Sequence, residues 1–301
     1  MKLRRIRTGN TLETQRLDDG GWQKLTTPSP LGPSPFSAEW ELATAERHLH
    51  HSNALLPFSP LSFRDFLLSE QHNVAAARGM INRFYPASSR ITTAFEKLTR
   101  RTFPAFRPNK LFYRQPIYYM SNAMTIVPTG TPVAFPSYST GLDFELELGF
   151  VLTEPLLNAD AHDATAAIGA FVLLNDFSAR DVQRAEMSSG LGPQKSKHFL
   201  SSMSETAVTA DEVLPRIDAL TGAVVINGTT VSTVRSSGLN WSVGEVLAHA
   251  SRDEQLLPGE VFGLGTLAGG SGMETGNWLS PGDTLRLELD DIGTVEHTIT
   301  Q

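Results

Sequence analysis

No cysteine occurs in the 301 residues. Disulfides, thiolate metal ligands and cysteine nucleophiles are therefore excluded. Any metal or acid–base chemistry must come from carboxylates, histidines, lysines and hydroxyls, and a reducing, cytoplasmic setting is expected. Positive charge is also scarce: 25 Lys and Arg stand against 32 Asp and Glu, a net charge of −7. Non-specific nucleic-acid binding requires concentrated Lys and Arg, so nucleic acid is not an expected partner. No segment approaches the roughly 20 apolar residues that span a bilayer, so no membrane association is expected. The basic start, with Lys2, Arg4, Arg5 and Arg7, lacks the apolar run of a secretory signal. An apolar content of 40% is enough for a sizeable core and an enclosed site.

Punctuation by Gly and Pro divides the chain. Residues 1–55 read as a small β-containing arm or subdomain: Asp18-Asp19-Gly20-Gly21 is a turn between short strands, and Pro28 to Pro35 is too rich in Pro, Gly and Ser for a regular element. Within it, Ala38 to His51 has helical composition, and His48, His50 and His51 read as its solvated end. Residues 56–301 form the expected catalytic domain. There Ser62 to Met80 and Ile91 to Arg100 are predicted largely helical, Ile126 to Pro136 short strands, and Ala164 to Leu174 a helix passing into a strand. Trp241 to Ser251 is a helix opened by a Ser242–Glu245 capping box. Thr284 to Asp290, after the turn Pro281-Gly282-Asp283, alternates as a half-buried strand.

The most informative stretch is Leu142 to Phe150, an alternation of apolar with acidic or small residues. At about 3.3 Å per residue, Glu145 and Glu147 share one face with Cα atoms roughly 6.5 to 7 Å apart. Buried carboxylates that close repel unless a cation or proton compensates, and hard oxygen ligands suit Mg²⁺, Mn²⁺ or Ca²⁺. An exposed acidic face fits the same pattern. The apolar run Gly169 to Leu174 stops at Asn175-Asp176, where Asp176 fits either a cleft or a turn, while Ser178 to Asp181 resembles a capping box. Gly192-Pro193-Gln194-Lys195-Ser196-Lys197 places two lysines by a turn, as a solvated loop or as an oxyanion donor. Asp65 and His72 are seven residues apart, two turns along one face if a single helix carries both. The glycine-rich segment Gly263 to Glu274 lacks the spacing of a nucleotide-binding loop.

Taken in order from Pro57 to Ile299, these segments resemble the fumarylacetoacetate hydrolase superfamily. The matching pieces are Asp65-Phe66 with Gln71-His72, Asp143-x-Glu145-x-Glu147, Asn175 to Gln183, Gly192-Pro193 with Lys197, and Gly265-Thr266 with Glu274. The resemblance implies an α+β, predominantly β fold: a mixed β-roll or sandwich, usually a homodimer. It implies a divalent cation on Asp65, Glu145, Glu147 and Asp176, with His72 as general base oriented by Glu274. Arg180, Gln183 and Lys197 would surround an oxyanion, and Tyr119 and Thr266 would touch an oxo-acid or diketone substrate. The implied reaction is hydrolysis of a carbon–carbon bond in a 1,3-diketone or acylpyruvate-type compound; decarboxylation or keto–enol isomerisation of a 2-oxo acid is the alternative, and a non-catalytic ligand-binding homologue another. Leu67 and Met187 stand where the resemblance places tyrosines, which suggests a less charged acyl group.

Overall fold

A computed structural model describes all 301 residues. Strands β1 (Lys2–Thr8), β2 (Thr11–Asp18) and β3 (Gly21–Lys24) precede helix α1 (Ala38–Leu49). Then come β4 (Ser62–Phe66), helices α2 (Glu70–Phe84) and α3 (Pro86–Thr99), and β5 (Tyr118–Ser121). Short strands β6 (Ile126–Pro128), β7 (Val133–Ala134) and β8 (Leu142–Asp143) lead to β9 (Glu145–Leu152), α4 (Ala161–Ala166) and β10 (Ile168–Asp176). The pair β11 (Ser178–Ala179) and α5 (Arg180–Ser189) is followed by β12 (Ser201–Met203), β13 (Thr206–Thr209) and α6 (Ala210–Val213). The remainder is β14 (Thr221–Ile226), β15 (Thr229–Arg235), α7 (Val243–Ala250), β16 (Glu260–Ser271), α8 (Gly272–Thr275), β17 (Thr284–Leu289) and β18 (Gly293–Thr300).

The architecture is α+β with mixed sheets. The larger sheet has 11 strands, ordered β3-β2-β1-β13-β10-β9-β16-β4-β5, with β12 on β10 and β6 on β12. Most pairs are antiparallel, but β4 runs parallel to β16 and β6 parallel to β12. A second sheet of five strands, β15-β14-β17-β18-β7, packs beside it. Because β1 pairs with β13, the N-terminal meander extends the large sheet.

Side-chain alternation on β9 and β10 decides where core ends and site begins. Leu146, Leu148, Phe150 and Leu152 join a core of 37 buried residues. The opposite face of β9 carries Val151, which with Ala170, Val172 and Leu174 of β10 belongs to a separate core of 14 residues. Following that second face along the sheet, apolar side chains give way to Gly149, Glu147 and Glu145. Leu174 lies opposite Glu147, so Asp176, two residues on, emerges on the same face.

Two local expectations differ from the structure. Ser62–Phe66 is a strand, not the start of a helix, because it is paired on both sides, to β16 and to β5. That pairing overrides the helical composition. The helix starts only at Glu70, where the Ser69 side chain accepts from the His72 amide. Asp65 and His72 therefore do not share a helical face. Secondly, Ser178–Asp181 is not a capping box. The N-cap of α5 is Ala179, the Ser178 hydroxyl donates to the Asp176 carbonyl, and Asp181 accepts from Ser139 and Thr140. The glycine-rich segment lies in strand β16 from Gly263 to Ser271, where the register shifts, and Ser271–Glu274 supplies the capping box of α8.

Candidate active site

The acidic face of the large sheet forms the floor of a cavity of about 620 Å³. Register assembles it. Tyr119 on β5 lies opposite Asp65 on β4, which lies opposite Gly263 on β16; Gly263 faces Gly149 and Thr266 faces Glu147 on β9. Two helices wall the cavity: α2 with His72, Asn73, Ala76, Ala77 and Met80, and α5 with Arg180, Gln183, Arg184 and Met187. Both sets follow i, i+3 or i+4 spacing, so each is one helical stripe. The turn Gly192-Pro193 and Lys197 close a third side.

Asp65, Glu145 and Glu147 are buried with their ligand atoms within 4.8 Å of one another. Their environments are unequal. Glu145 receives Arg180 Nη2 at 2.7 Å and the Lys197 ammonium. Burial pushes its carboxyl up, but Arg180 and Lys197 outweigh burial and hold it well below the usual range. Glu147 has neither oxygen hydrogen-bonded, and Asp65 Oδ1 is likewise without a partner. Burial, reinforced by the neighbouring carboxylates, pushes both well above the usual range. A Cβ on Gly263 would lie 2.6 Å from Asp65 Oδ1 and 2.8 Å from Glu147 Oε2. Only glycine leaves this space open between the two acids.

Orphaned, buried, converging oxygens are what a hard divalent cation requires, so the residues fit such an ion. Charge agrees: Arg180 and Lys197 pair with Asp143, Glu145 and Asp176, which leaves Asp65 and Glu147 without an ion pair. Asp176 stands apart from the three. One of its oxygens takes Lys197 Nζ at 2.6 Å and the Tyr119 hydroxyl, and the other takes Ser201 at 3.0 Å. Burial and the Asp176 charge raise Tyr119, keeping its phenol protonated as a donor.

The cationic side is self-contained. Arg180 is buried with Nε on Asp143 at 2.7 Å, Nη2 on Glu145 and Nη1 on Gln183 Oε1 at 2.9 Å. All three guanidinium nitrogens are engaged, so Arg180 organises the site while Gln183 presents its amide nitrogen. Lys197 spends two of its three donors on Glu145 and Asp176. Its desolvation is outweighed by Asp176 and Glu145, which raise it and keep it charged. Glu186 holds the preceding loop, accepting from Gln194 N at 2.9 Å, Lys195 N at 2.8 Å and Ser196 Oγ at 2.6 Å. Lys195 turns away to cover the Tyr138 ring.

His72 is buried on the cavity wall, with Nδ1 2.9 Å from Glu274 Oε2. The contact is close enough for an ion pair but out of line for a hydrogen bond. Glu274 is fixed by the Gly269 and Ser271 amides and the Ser271 hydroxyl. Thr266 lines the same cavity. Of the residues expected at the site, Asp65, His72, Tyr119, Glu145, Glu147, Arg180, Gln183, Lys197 and Thr266 line this cavity; Glu274 and Asp176 do not line it but contact residues that do, His72 and the Lys197–Tyr119 pair. His48, His50 and His51 take no part; the other converging acid–histidine group, Asp160, His162 and Asp163, is exposed. Sequence reasoning missed Asp143, whose carboxylate holds Arg180 and also accepts from the Gly272 and Met273 amides. Its place in the Asp-x-Glu-x-Glu alternation was the available signal. It also missed Glu186 and Gly263, for which only tertiary packing gives a signal.

A family profile described as fumarylacetoacetate (FAA) hydrolase, C-terminal, matches residues 88–300. Similar curated proteins include the mitochondrial oxaloacetate tautomerase fahd2 of Xenopus laevis, 27% identical over 187 residues, or 62% of this chain and 58% of that protein. The mitochondrial oxaloacetate tautomerase FAHD1 of Homo sapiens is 26% identical, covering 52% of this chain and 70% of its own. The 2,4-didehydro-3-deoxy-L-rhamnonate hydrolase of Sphingomonas sp. is 26% identical over 62% and 66%. This chain therefore spans less than two thirds of the length of two of these relatives. Among solved structures, fumarylacetoacetate hydrolase from Exiguobacterium antarcticum superposes with a TM-score of 0.69 at 17% identity, covering 100% of this chain and 99% of that one. Fumarylpyruvate hydrolase from Pseudomonas aeruginosa, in complex with Mn²⁺ and pyruvate, gives 0.58 at 18% identity over 82% and 98%. At these identities the shared property is the fold. With the profile spanning β9, β10, α5 and β16, which carry most of the acid and cation cluster, the chain belongs to the fumarylacetoacetate hydrolase family.

Proposed function

We propose that the protein is a divalent-metal-dependent hydrolase that cleaves a carbon–carbon bond in a 1,3-diketone or acylpyruvate-type substrate. The observation that carries this reading is the set of unpartnered carboxylate oxygens on Asp65 and Glu147, buried beside Glu145 in the cavity that is also lined by His72, itself in contact with Glu274. Asp65, Glu145 and Glu147 would hold the cation, with Asp176 as a fourth acid; Mg²⁺ is the first candidate, with Mn²⁺ or Ca²⁺ next. When bound, the cation supplies Lewis-acid charge to adjacent substrate oxygens.

The chain's own residues account for the proton and charge movements. His72, oriented through Nδ1 by Glu274, takes a proton from the water that attacks the acyl carbonyl. Lys197 and the Gln183 amide hold the oxygen that becomes negative, and Arg180 keeps both in place. When the carbon–carbon bond breaks, the departing carbon accepts a proton from His72, leaving a new carboxylate and a shorter ketone. Tyr119 and Thr266 contact the substrate from the sheet. The proposed setting is cytoplasmic, from the absence of cysteine, and the proposed assembly is a homodimer, from the family resemblance; no helix is long and apolar enough to cross a membrane.

A second reading, tautomerisation or decarboxylation of a 2-oxo acid, is favoured by the names of two relatives, both oxaloacetate tautomerases. It uses the same site, with His72 moving a proton without water attack. Mass analysis in ¹⁸O-water separates the readings: hydrolysis places one labelled oxygen in a new carboxylate, whereas tautomerisation leaves the mass unchanged. A protein that binds oxo acids but turns over no acylpyruvate, diketone or oxaloacetate, with or without Mg²⁺, would be a ligand-binding homologue.

A further inference from the structure

Three cationic side chains line the cavity, and they differ in one respect. Arg180 and Lys197 each contact two carboxylates. Arg184 forms no ion pair. Its Nη1 donates to the Tyr85 hydroxyl at 2.7 Å, and its Nε is buried without an acceptor. The guanidinium is carried by aromatic rings, with Cζ 5.6 Å from the Phe84 centroid and 5.5 Å from that of Tyr85. This support fixes the group without neutralising it. A half-buried guanidinium on a cavity wall, with Nη2 free of any hydrogen bond and no counter-ion, is an anion site whose anion the protein does not supply.

Its position sets the ligand's length. Arg184 follows Arg180 by four residues on the same face of α5, a rise of about 6 Å. One end of a ligand at the acid cluster would leave its other end beside Arg184. We propose that Arg184 is a specificity-determining residue that reads a second, distal carboxylate on the substrate, so that the preferred compound is a dianion with its charges separated by several atoms. This deepens the proposed function and rests on it. It also reverses the suggestion of a less charged acyl group drawn from Leu67 and Met187: the charge is supplied one residue beyond Gln183, from α5.

The test uses the full-length, Mg²⁺-loaded protein and two probes that differ only at the far end, 2-oxoadipate and its distal methyl monoester, titrated calorimetrically. The wild type is expected to bind the dianion about 10- to 100-fold more tightly, the range of a charge-assisted contact. Arg184→Gln should erase that preference, and Arg184→Lys should keep part of it. Tyr85→Phe removes the hydroxyl clasp but not the charge, and should retain the preference; its loss there would assign the effect to wall packing and overturn the subsite. Preference retained by Arg184→Gln would also overturn it. Equal binding of both probes by the wild type would refute the subsite while leaving the proposed chemistry standing, provided acylpyruvates are turned over. Binding of neither, with no turnover, would remove the chemistry and the subsite together.

Discussion

Glu145 and Glu147 sit two residues apart on the same face of the same strand, both buried, and their surroundings treat them oppositely. On the Glu145 side, Arg180, Lys197, Asp143 and Asp176 form a network in which each charge has an opposite partner. On the Glu147 side, two carboxyls meet across Gly263 with no cation and with orphaned oxygens. The first region is completed by the chain; the second awaits a ligand. A merely stabilising network has no reason to stop halfway, because an unpaired buried carboxylate costs folding free energy. The asymmetry therefore marks the Glu147 side as the end left open for a ligand, while the ion pairs of the Glu145 side hold the groups around it in place.

The sharpest way to break the scaffold is Arg180→Met, which strands Asp143 and Glu145 as buried, uncompensated acids. A loss of about 3–5 kcal/mol in urea unfolding is expected, with or without cation. Lys197→Ala should lower turnover about a hundredfold or more, the cost of removing one oxyanion donor; near-normal turnover would defeat that role. Glu147→Gln probes the other side and carries the opposite sign. Without added metal the variant should be at least as stable as the wild type, since a buried unpaired acid has been neutralised. The wild type, at Mg²⁺ a hundredfold above its dissociation constant, should gain about 2.7 kcal/mol, and the variant should gain almost none. If Mg²⁺ stabilised both equally, the cation would not lie between Asp65 and Glu147.

Much of the acid cluster was legible in the sequence because strand periodicity is a local rule. The alternation from Leu142 to Phe150 is enough by itself to put Glu145 and Glu147 on one face, whereas the mixed, mainly β architecture was legible only through the family resemblance. Asp65 was misplaced onto a helix because Ser62–Phe66 is a strand only by virtue of β16, some 200 residues later in the chain, and β5. The His72–Glu274 contact is likewise non-local, joining the starts of α2 and α8; composition and spacing are silent about it, and only the family resemblance paired the two. Arg184 was unremarkable as a letter after Gln183. Its meaning lies in the absence of an acid nearby, which no local pattern reports.

The self-satisfied side extends beneath Glu145 to a histidine that the sequence did not single out. His297 on β18 is buried, its Nδ1 2.7 Å from the Thr131 carbonyl and its Nε2 2.9 Å from Ser202 Oγ. Ser202 accepts from the Asn175 side-chain amide at 3.4 Å, and the Asn175 side-chain carbonyl accepts from the Glu145 amide at 3.0 Å. The chain of bonds suits a neutral imidazole that donates from Nδ1 and accepts at Nε2. Burial lowers His297 to about 4, against the partial offset of the Thr131 bond. Between that value and the ordinary value near 6.5, the unfolded chain binds a proton that the folded protein refuses. Stability is thus fully present above about pH 6.5 and falls as pH drops toward 4, by about 2 kcal/mol between pH 7 and pH 5 from this group alone. His297→Gln should flatten that part of the pH–stability curve measured by urea unfolding, at some cost in stability at pH 7. A curve as steep in the variant as in the wild type would move the acid sensitivity to His48, which burial likewise lowers to about 4.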